Sequence, residues 1–129
     1  MNRILLVDDE PDLVRLVSIR LEAEGYEVIV AIDGHEALAK ARADHPDLII
    51  LDLMLPKLNG YQVCALLKRD TRFQKTPIIL FTALAHENDE KLGYESGADA
   101  YIRKPFQGSE LLAQIRAVLE KASKGSEKT

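Results

Sequence analysis

Residues 48–56 of the 129-residue chain read "LIILDLMLP", four consecutive aliphatic residues followed by an aspartate. An uninterrupted apolar run of this length is typical of a strand that is covered on both faces, whereas a strand with one wet face alternates apolar and polar residues. Doubly covered strands belong to parallel sheets that lie between two layers of helices. The run therefore predicts a buried central strand with Asp52 at its carboxyl end.

Four other short apolar runs accompany this one along the chain. The predicted strands, β1 to β5 in chain order, are Ile4–Val7, Val28–Ile32, Leu48–Leu51, Ile78–Phe81 and Ala100–Ile102. A helix-like segment follows each strand, and the strand–helix unit repeats five times. The predicted fold class is therefore α/β, a doubly wound five-stranded parallel sheet with helices on both faces.

Turn and capping residues mark the ends of the predicted helices. Their positions are Pro11 and Glu24-Gly25 for α1, Asp33-Gly34 and His45-Pro46 for α2, Asn59-Gly60 before α3, residues 86–96 for α4, and Ser109 as the N-cap of α5. Residues 123–129, "SKGSEKT", are polar and weakly patterned. We expect one domain over residues 1–122, followed by a disordered tail or linker stub.

Composition narrows the class of function. The net charge of −4 argues against direct nucleic-acid binding, and no apolar run approaches the length of a membrane span. The β1 pattern begins almost at the first residue, so we expect no signal peptide. Cys64 is the only cysteine and lies in an apolar helical stretch. We expect a cytoplasmic protein in which Cys64 is a buried thiol. The absence of Cys/His clusters from the sequence argues against a zinc site.

Polar side chains follow four of the five predicted strands. Asp8 and Asp9 close β1, Asp52 closes β3, Thr82 closes β4 and Lys104 follows β5. In open parallel sheets, ligands bind outside the carboxyl ends of the strands. Three carboxylates at this edge form an all-oxygen site that suits Mg²⁺. Asp52 is then placed to attack a phosphoryl group, with Lys104 and Thr82 near its oxygens.

These residues resemble the receiver domains of two-component response regulators over about residues 2–122. The fragments that carry the resemblance are "VDDE" (7–10), "LDLMLPKLNG" (51–60), "FTA" (81–83) and "GADAYIRKPF" (97–106). The resemblance implies a flavodoxin-like (βα)5 fold with strand order 2-1-3-4-5, an order already known from members of this family.

The resemblance also implies roles for the residues at the sheet edge. Asp52 is the phosphoacceptor, which takes a phosphoryl group from the phosphohistidine of a sensor histidine kinase or a phosphotransfer protein. Asp9, Asp52 and the backbone carbonyl of Met54 bind Mg²⁺ directly, and Asp8 binds it through a water. Glu10 is assigned instead to capping of α1, where acids favour the positive end of the helix dipole.

Further roles implied by the family lie on β4, β5 and the loop that follows. Thr82 and Lys104 contact the phosphoryl oxygens, and Thr82 switches together with the rotamer of Tyr101. The peptide bond before Pro105 is expected to be cis, a form largely confined to such X-Pro positions. An output partner or a second copy of the chain is expected to bind the α4–β5–α5 face.

A second apolar face on α1 suggests where a kinase docks. At 100° per residue, Leu16 and Ile19 lie away from the face that carries Val17 and Leu21. Family members dock their kinases partly through this helix, beside the loop after β5. We therefore assign kinase docking to a patch of Leu16, Ile19 and Phe106.

Other functions for this architecture fit the sequence less well. A flavodoxin-type FMN module needs a glycine- and hydroxyl-rich loop after β1, where this chain is acidic. A phosphatase of the haloacid-dehalogenase type needs a second aspartate at position 54, which is Met54. The phosphate-loop motif of Walker-type NTPases is absent from the sequence. A degenerate receiver that acts only as an interaction module remains the main alternative. In the expected function the chain is a signalling switch that catalyses only its own phosphorylation and dephosphorylation.

Overall fold

A computed structural model describes residues 2–55, 58–82, 97–104 and 106–127. The strands are β1 (Arg3–Val7), β2 (Glu27–Ala31), β3 (Leu48–Asp52), β4 (Ile78–Thr82) and β5 (Ala100–Arg103). The helices are α1 (Pro11–Ala23), α2 (Gly34–Asp44), α3 (Gly60–Arg69) and α5 (Gly108–Glu127). The predicted α4, residues 86–96, lies outside the described residues.

The five strands form one parallel sheet in the order β2-β1-β3-β4-β5, which confirms the predicted topology. All five residues of β3 are buried, as expected for the strand at the centre of the sheet. The register pairs Val7 with Leu51 across β1 and β3, and Asp52 with Phe81 across β3 and β4. The residues that follow β1 and β3 are therefore neighbours at one edge of the sheet.

The sheet divides the core into two clusters. The α1/α5-side cluster includes Val17, Leu21, Phe81, Leu111 and Ile115. The α2/α3-side cluster joins other strand residues to buried positions of α2 and α3, which are Ala37, Leu38, Ala41, Val63, Cys64 and Leu67. Burial of apolar surface on both faces explains why the strands are continuous apolar runs rather than alternating ones. Cys64 is a buried free thiol, as predicted.

Local sequence explains where the helices begin. The Asp33 side chain accepts a hydrogen bond from the backbone N–H of Glu36 at 2.8 Å and caps α2. Asn59 and Gln62 form a reciprocal capping box at the start of α3, with distances of 2.9 and 3.0 Å. Both helix starts agree with the positions predicted from the turn residues.

The structure corrects one expectation about α5 and gives the full length of the helix. The helix begins at Gly108, so Ser109 lies inside it rather than at its N-cap, and the Leu111 N–H donates to the Gln107 carbonyl at 3.1 Å. The helix also continues to Glu127 and so includes residues 123–127 of the segment expected to be a disordered tail or linker stub. Once a helix is nucleated and packed, each further residue adds a hydrogen bond at little cost, which extends it past its apolar part.

Gly60 brings the start of α3 against the end of β3. A Cβ at Gly60 would lie 2.6 Å from the backbone oxygen of Asp52 and 3.0 Å from the Cα of Leu53. Only glycine therefore fits this position without a shift of backbone. Among the described helices, none combines the length and the apolar character needed to cross a bilayer.

Candidate functional site

Asp8 and Asp52 lie side by side at the carboxyl edge of the sheet. Both are buried: Asp8 is 0% exposed and Asp52 is 3% exposed. Their positions follow from the parallel pairing of β1 and β3, which joins Val7 to Leu51 one residue earlier. Buried carboxylates are rare unless a cation or hydrogen-bond donors offset the cost of removing their charge from water. The pair is therefore a candidate functional site.

Lys104 supplies that compensation from the end of β5. Its Nζ lies 3.0 Å from Asp8 Oδ2, 3.2 Å from Asp52 Oδ2 and 3.4 Å from Glu10 Oε1. The Lys104 side chain is only 14% exposed. Three carboxylates thus share this ammonium, which leaves an excess of negative charge when all of them are ionised. The site therefore attracts a further cation.

The pKa values of Asp8 and Lys104 reflect this crowding. Burial raises the pKa of Asp8 above its ordinary value of 3.8, against the lowering effect of hydrogen bonds from the Glu10 N–H and Lys104. The charge of Asp52 raises it further. Burial works to lower the pKa of Lys104, but the hydrogen bond to Asp8 and the charges of Asp52 and Asp8 outweigh it, so this pKa is raised. Lys104 therefore remains a cation in the site.

Oxygen ligands for a divalent cation are present at this edge. Carboxylate oxygens of Asp8, Glu10 and Asp52 all lie within 4.8 Å of one another. Carboxylate oxygen is the donor that Mg²⁺ prefers, so the donor set fits such an ion. Asp9, predicted as a direct ligand, is exposed and is not part of this group.

The contact between Glu10 and Lys104 was not predicted from the sequence. It occupies the N-cap position of α1, but its side chain makes no capping hydrogen bond, so the capping assignment for that side chain is wrong. The carboxylate lies instead beside the Lys104 ammonium. This contact depends on how far the Lys104 side chain extends across the sheet edge, and no local sequence pattern indicates that it reaches Glu10.

Met54 contacts the site through its backbone, and the other predicted site residues lie on β4, on β5 and in the loop after β5. The backbone N–H of Met54 donates to Asp52 Oδ1 at 3.0 Å, and the Met54 residue is 62% exposed. Tyr101 is half-buried and packs against the α2/α3-side cluster. Thr82 ends β4 opposite Arg103 of β5, but its side chain lies outside the described part of the structure, as does Pro105. The expected cis bond and the switching pair therefore stay predictions.

The predicted docking patch borders a groove between α1 and α5. Leu16 and Ile19 are 64% and 62% exposed, consistent with the second apolar face deduced for α1. The groove has a volume of about 480 Å³, and its lining includes Leu16, Phe106 and Lys104. Ile19 is not among the residues that line it. The structure thus brings Leu16 and Phe106 to one surface and connects that surface to the acidic site.

An aromatic pair lies beside Lys104. The Lys104 Nζ is 4.6 Å from the ring centroid of Phe81, and the Phe106 ring packs edge-on against Phe81 with centroids 6.0 Å apart. From the sequence, Phe81 is only an apolar residue of β4. Its register opposite Asp52 is the one hint that it borders the site, and that register is known only once the strands are paired.

Comparison with known proteins supports one family. The family model of the response regulator receiver domain matches residues 4–116. The DNA-binding dual master transcriptional regulator RpaA of Synechocystis is 48% identical over 124 residues, which are 96% of this chain and 52% of that protein. The alkaline phosphatase synthesis transcriptional regulatory protein PhoP of Bacillus subtilis is 48% identical over 123 residues, which are 94% of this chain and 50% of that protein.

Solved structures agree with this assignment. The CheY-like response regulator receiver domain protein of Methanospirillum hungatei superposes with a TM-score of 0.91 at 31% identity, covering 97% of this chain and 98% of that one. The chain spans about half the length of the curated relatives it matches. With the five-stranded fold and the acidic edge already established, the chain belongs to the response regulator receiver domain family and is a signalling switch of two-component systems rather than a classical enzyme.

Proposed function

We propose that Asp52 accepts a phosphoryl group from the phosphohistidine of a sensor histidine kinase or a phosphotransfer protein. The observation that carries this proposal is the position of the Lys104 ammonium, which contacts both Asp8 and Asp52 in a buried site. A lysine held there is available to a phosphoryl oxygen as soon as one arrives at Asp52.

In the proposed reaction, a carboxylate oxygen of Asp52 attacks phosphorus and forms a new P–O bond. The P–N bond to the donor histidine breaks, and the imidazole leaves with the electron pair. Lys104 then exchanges part of its contact with Asp52 for one with a phosphoryl oxygen, and Thr82 contacts another. The Met54 N–H keeps its hydrogen bond to Asp52 and holds the carboxylate in orientation.

The reaction is proposed to require Mg²⁺. The direct ligands would be Asp9, Asp52 and the backbone carbonyl of Met54, and Asp8 would bind through a water. An alternative ligand set is the group of Asp8, Glu10 and Asp52. Bound Mg²⁺ offsets the negative charge of the phosphoryl group and of the carboxylates around it.

The output is proposed to pass through the α4–β5–α5 face to an output partner or a second copy of the chain. Thr82 and Tyr101 form the switch that links this face to the phosphoryl group. Some relatives are named as DNA-binding or transcriptional regulators, and this chain matches about half of their length. Because its own net charge is −4, we assign DNA contact to the part of such proteins that this chain does not match.

Labelling by acetyl phosphate tests this function and separates it from that of a pure interaction module. The wild-type chain should gain one phosphoryl group in the presence of Mg²⁺, and chelation of the metal should prevent it. Asp52→Asn should abolish labelling, while Asp70→Asn, a change outside the site, should leave it intact. Intact proteins are measured by mass spectrometry. Labelling that persists in Asp52→Asn would assign the acceptor to another residue, and an unlabelled wild type would favour the interaction module.

A further inference from the structure

The face of the Phe81 ring lies against the Lys104 ammonium. The distance of 4.6 Å from Nζ to the ring centroid is within the range of a cation–π contact. Phe81 is 1% exposed and Lys104 is largely buried, so solvent screens this contact weakly. The carboxylates of Asp8 and Asp52 hold the same ammonium. The ring is therefore a further neighbour that fixes where the charge sits.

The Phe81 ring is itself held by its surroundings. Phe106 packs against it at an interplanar angle of 70° and a centroid distance of 6.0 Å, an edge-to-face arrangement. The other members of the α1/α5-side cluster, to which Phe81 belongs, enclose it in the core. A tightly packed ring holds one orientation, so its face stays directed at Lys104.

We propose that Phe81 is a positioning residue for phosphotransfer, which holds the Lys104 ammonium where it meets the phosphoryl group on Asp52. This inference rests on the proposed function of Asp52. The carboxylates alone would draw the ammonium toward themselves, whereas the ring provides an attraction that does not change when a phosphoryl group replaces the free Asp52 carboxylate. Phe106, which also lines the docking groove, keeps the ring in place.

A comparison of two buried phenylalanines tests this role. Phe81→Leu removes the ring beside Lys104. Phe73→Leu is the control, because Phe73 is equally buried but packs in the α2/α3-side cluster. The Phe73 ring centroid lies 5.5 Å from the Arg72 guanidinium. Labelling rates with acetyl phosphate and Mg²⁺ are measured for the folded fraction, which denaturant titration determines. Phe81→Leu should slow labelling by roughly 2- to 30-fold, the range to which a cation–π contact corresponds. Phe73→Leu should leave the rate unchanged.

A double-mutant cycle with Lys104→Gln separates positioning from general packing. If Phe81 acts through Lys104, Phe81→Leu should slow labelling no further in the Lys104→Gln background. An equal slowing in both backgrounds, or none in the wild-type background, would overturn the proposal. Failure of the wild type to label at all would instead refute the proposed function.

A spectroscopic measurement gives a readout that needs no phosphorylation. Protons of the Lys104 side chain that lie over the ring should resonate upfield of those of the other lysines. This shift should disappear in Phe81→Leu and persist in Phe73→Leu. An unshifted Lys104 resonance in the wild type would show that the contact is not populated in solution and would overturn the proposal.

Discussion

Asp8 and Asp52 are held by matching pairs of donors. In each carboxylate, Oδ1 accepts the backbone N–H two residues later, at 2.9 Å from Glu10 and 3.0 Å from Met54. In each, Oδ2 accepts from Lys104, at 3.0 and 3.2 Å. Aspartates at turns commonly bond the backbone two residues on, which fixes the carboxylate plane. Both side chains are thus oriented before any phosphoryl donor arrives.

Ionised Asp8 should reduce the stability of the metal-free protein. Its pKa in the folded chain is raised above the ordinary value of 3.8, so the ionised form disfavours folding. Asp8→Asn should therefore stabilise the protein at pH 7, by on the order of 1 kcal/mol or about 4 °C. The gain should shrink as the pH falls from the raised pKa of Asp8 through 3.8, below which Asp8 is protonated in both states. Thermal unfolding in a chelating buffer measures it.

Asp70→Asn is a control with the opposite sign. Hydrogen bonds from Arg72 lower the pKa of Asp70 to about 2, so its contribution to stability is present above its ordinary value of 3.8 and is lost as the pH falls through about 2. Asp70→Asn should therefore destabilise the protein slightly at pH 7, since solvent screens this pair. If both variants shift the melting temperature in the same direction, the burial argument for Asp8 fails.

A magnesium titration should decide which carboxylates hold the ion. A ligand that binds only the folded state raises stability by mass action, by about 1.4 kcal/mol at ten times the dissociation constant. Asp9→Asn should remove this effect if Asp9 is a direct ligand, and Glu10→Gln should retain most of it. Melting temperatures over the titration make the comparison. The reverse pattern would assign the cation to the group of Asp8, Glu10 and Asp52.

Kinase docking should depend on the groove between α1 and α5. Leu16→Arg places a charge on an apolar surface beside Phe106 and should slow transfer from the cognate kinase by at least about 5-fold, the effect of losing about 1 kcal/mol. Labelling by acetyl phosphate should be unchanged. Leu66→Arg is the matched control, because Leu66 is also an exposed leucine, 42% exposed, on α3. Equal slowing by both substitutions would exclude a specific role for the groove.

The output face should respond to a mimic of the phosphoryl group. Beryllofluoride with Mg²⁺ should change amide exchange most over residues 82–104. A coupling of about 2 kcal/mol would be enough to alter partner affinity tens-fold. Thr82→Ala should still be labelled at Asp52 but should lose most of this response. A wild-type response limited to the immediate neighbours of Asp52 would contradict the proposed switch.

The sheet and its acidic edge could be predicted because they depend on local patterns. An uninterrupted run such as Leu48–Leu51 indicates that both faces of a strand are covered, and the turn residues bound each helix. These patterns place Asp8 and Asp52 at the same edge of the sheet, and the family resemblance supplied the strand order that makes β1 and β3 neighbours.

The contacts of Glu10 and Phe81 could not be predicted in the same way. Both contacts depend on where the Lys104 ammonium lies. Neither an apolar period nor a capping motif indicates the position of that ammonium. An acid at the start of a helix and a phenylalanine in a strand each have an ordinary structural explanation. The extension of α5 beyond its apolar part could not be predicted from the apolar period, because backbone hydrogen bonds can continue a packed helix where no apolar face remains.

The division of the core by the sheet has a consequence for how the protein can diversify. The groove between α1 and α5 and the Phe81 ring belong to the α1/α5 side, whereas Tyr101 packs against the α2/α3-side cluster. In the proposed function, kinase docking therefore depends on the α1/α5 side of the sheet, and the Thr82–Tyr101 switch depends on the α2/α3 side. Libraries confined to buried positions of α2 and α3 should yield receivers that answer the same kinase with graded sensitivity, a practical route to tunable signalling parts.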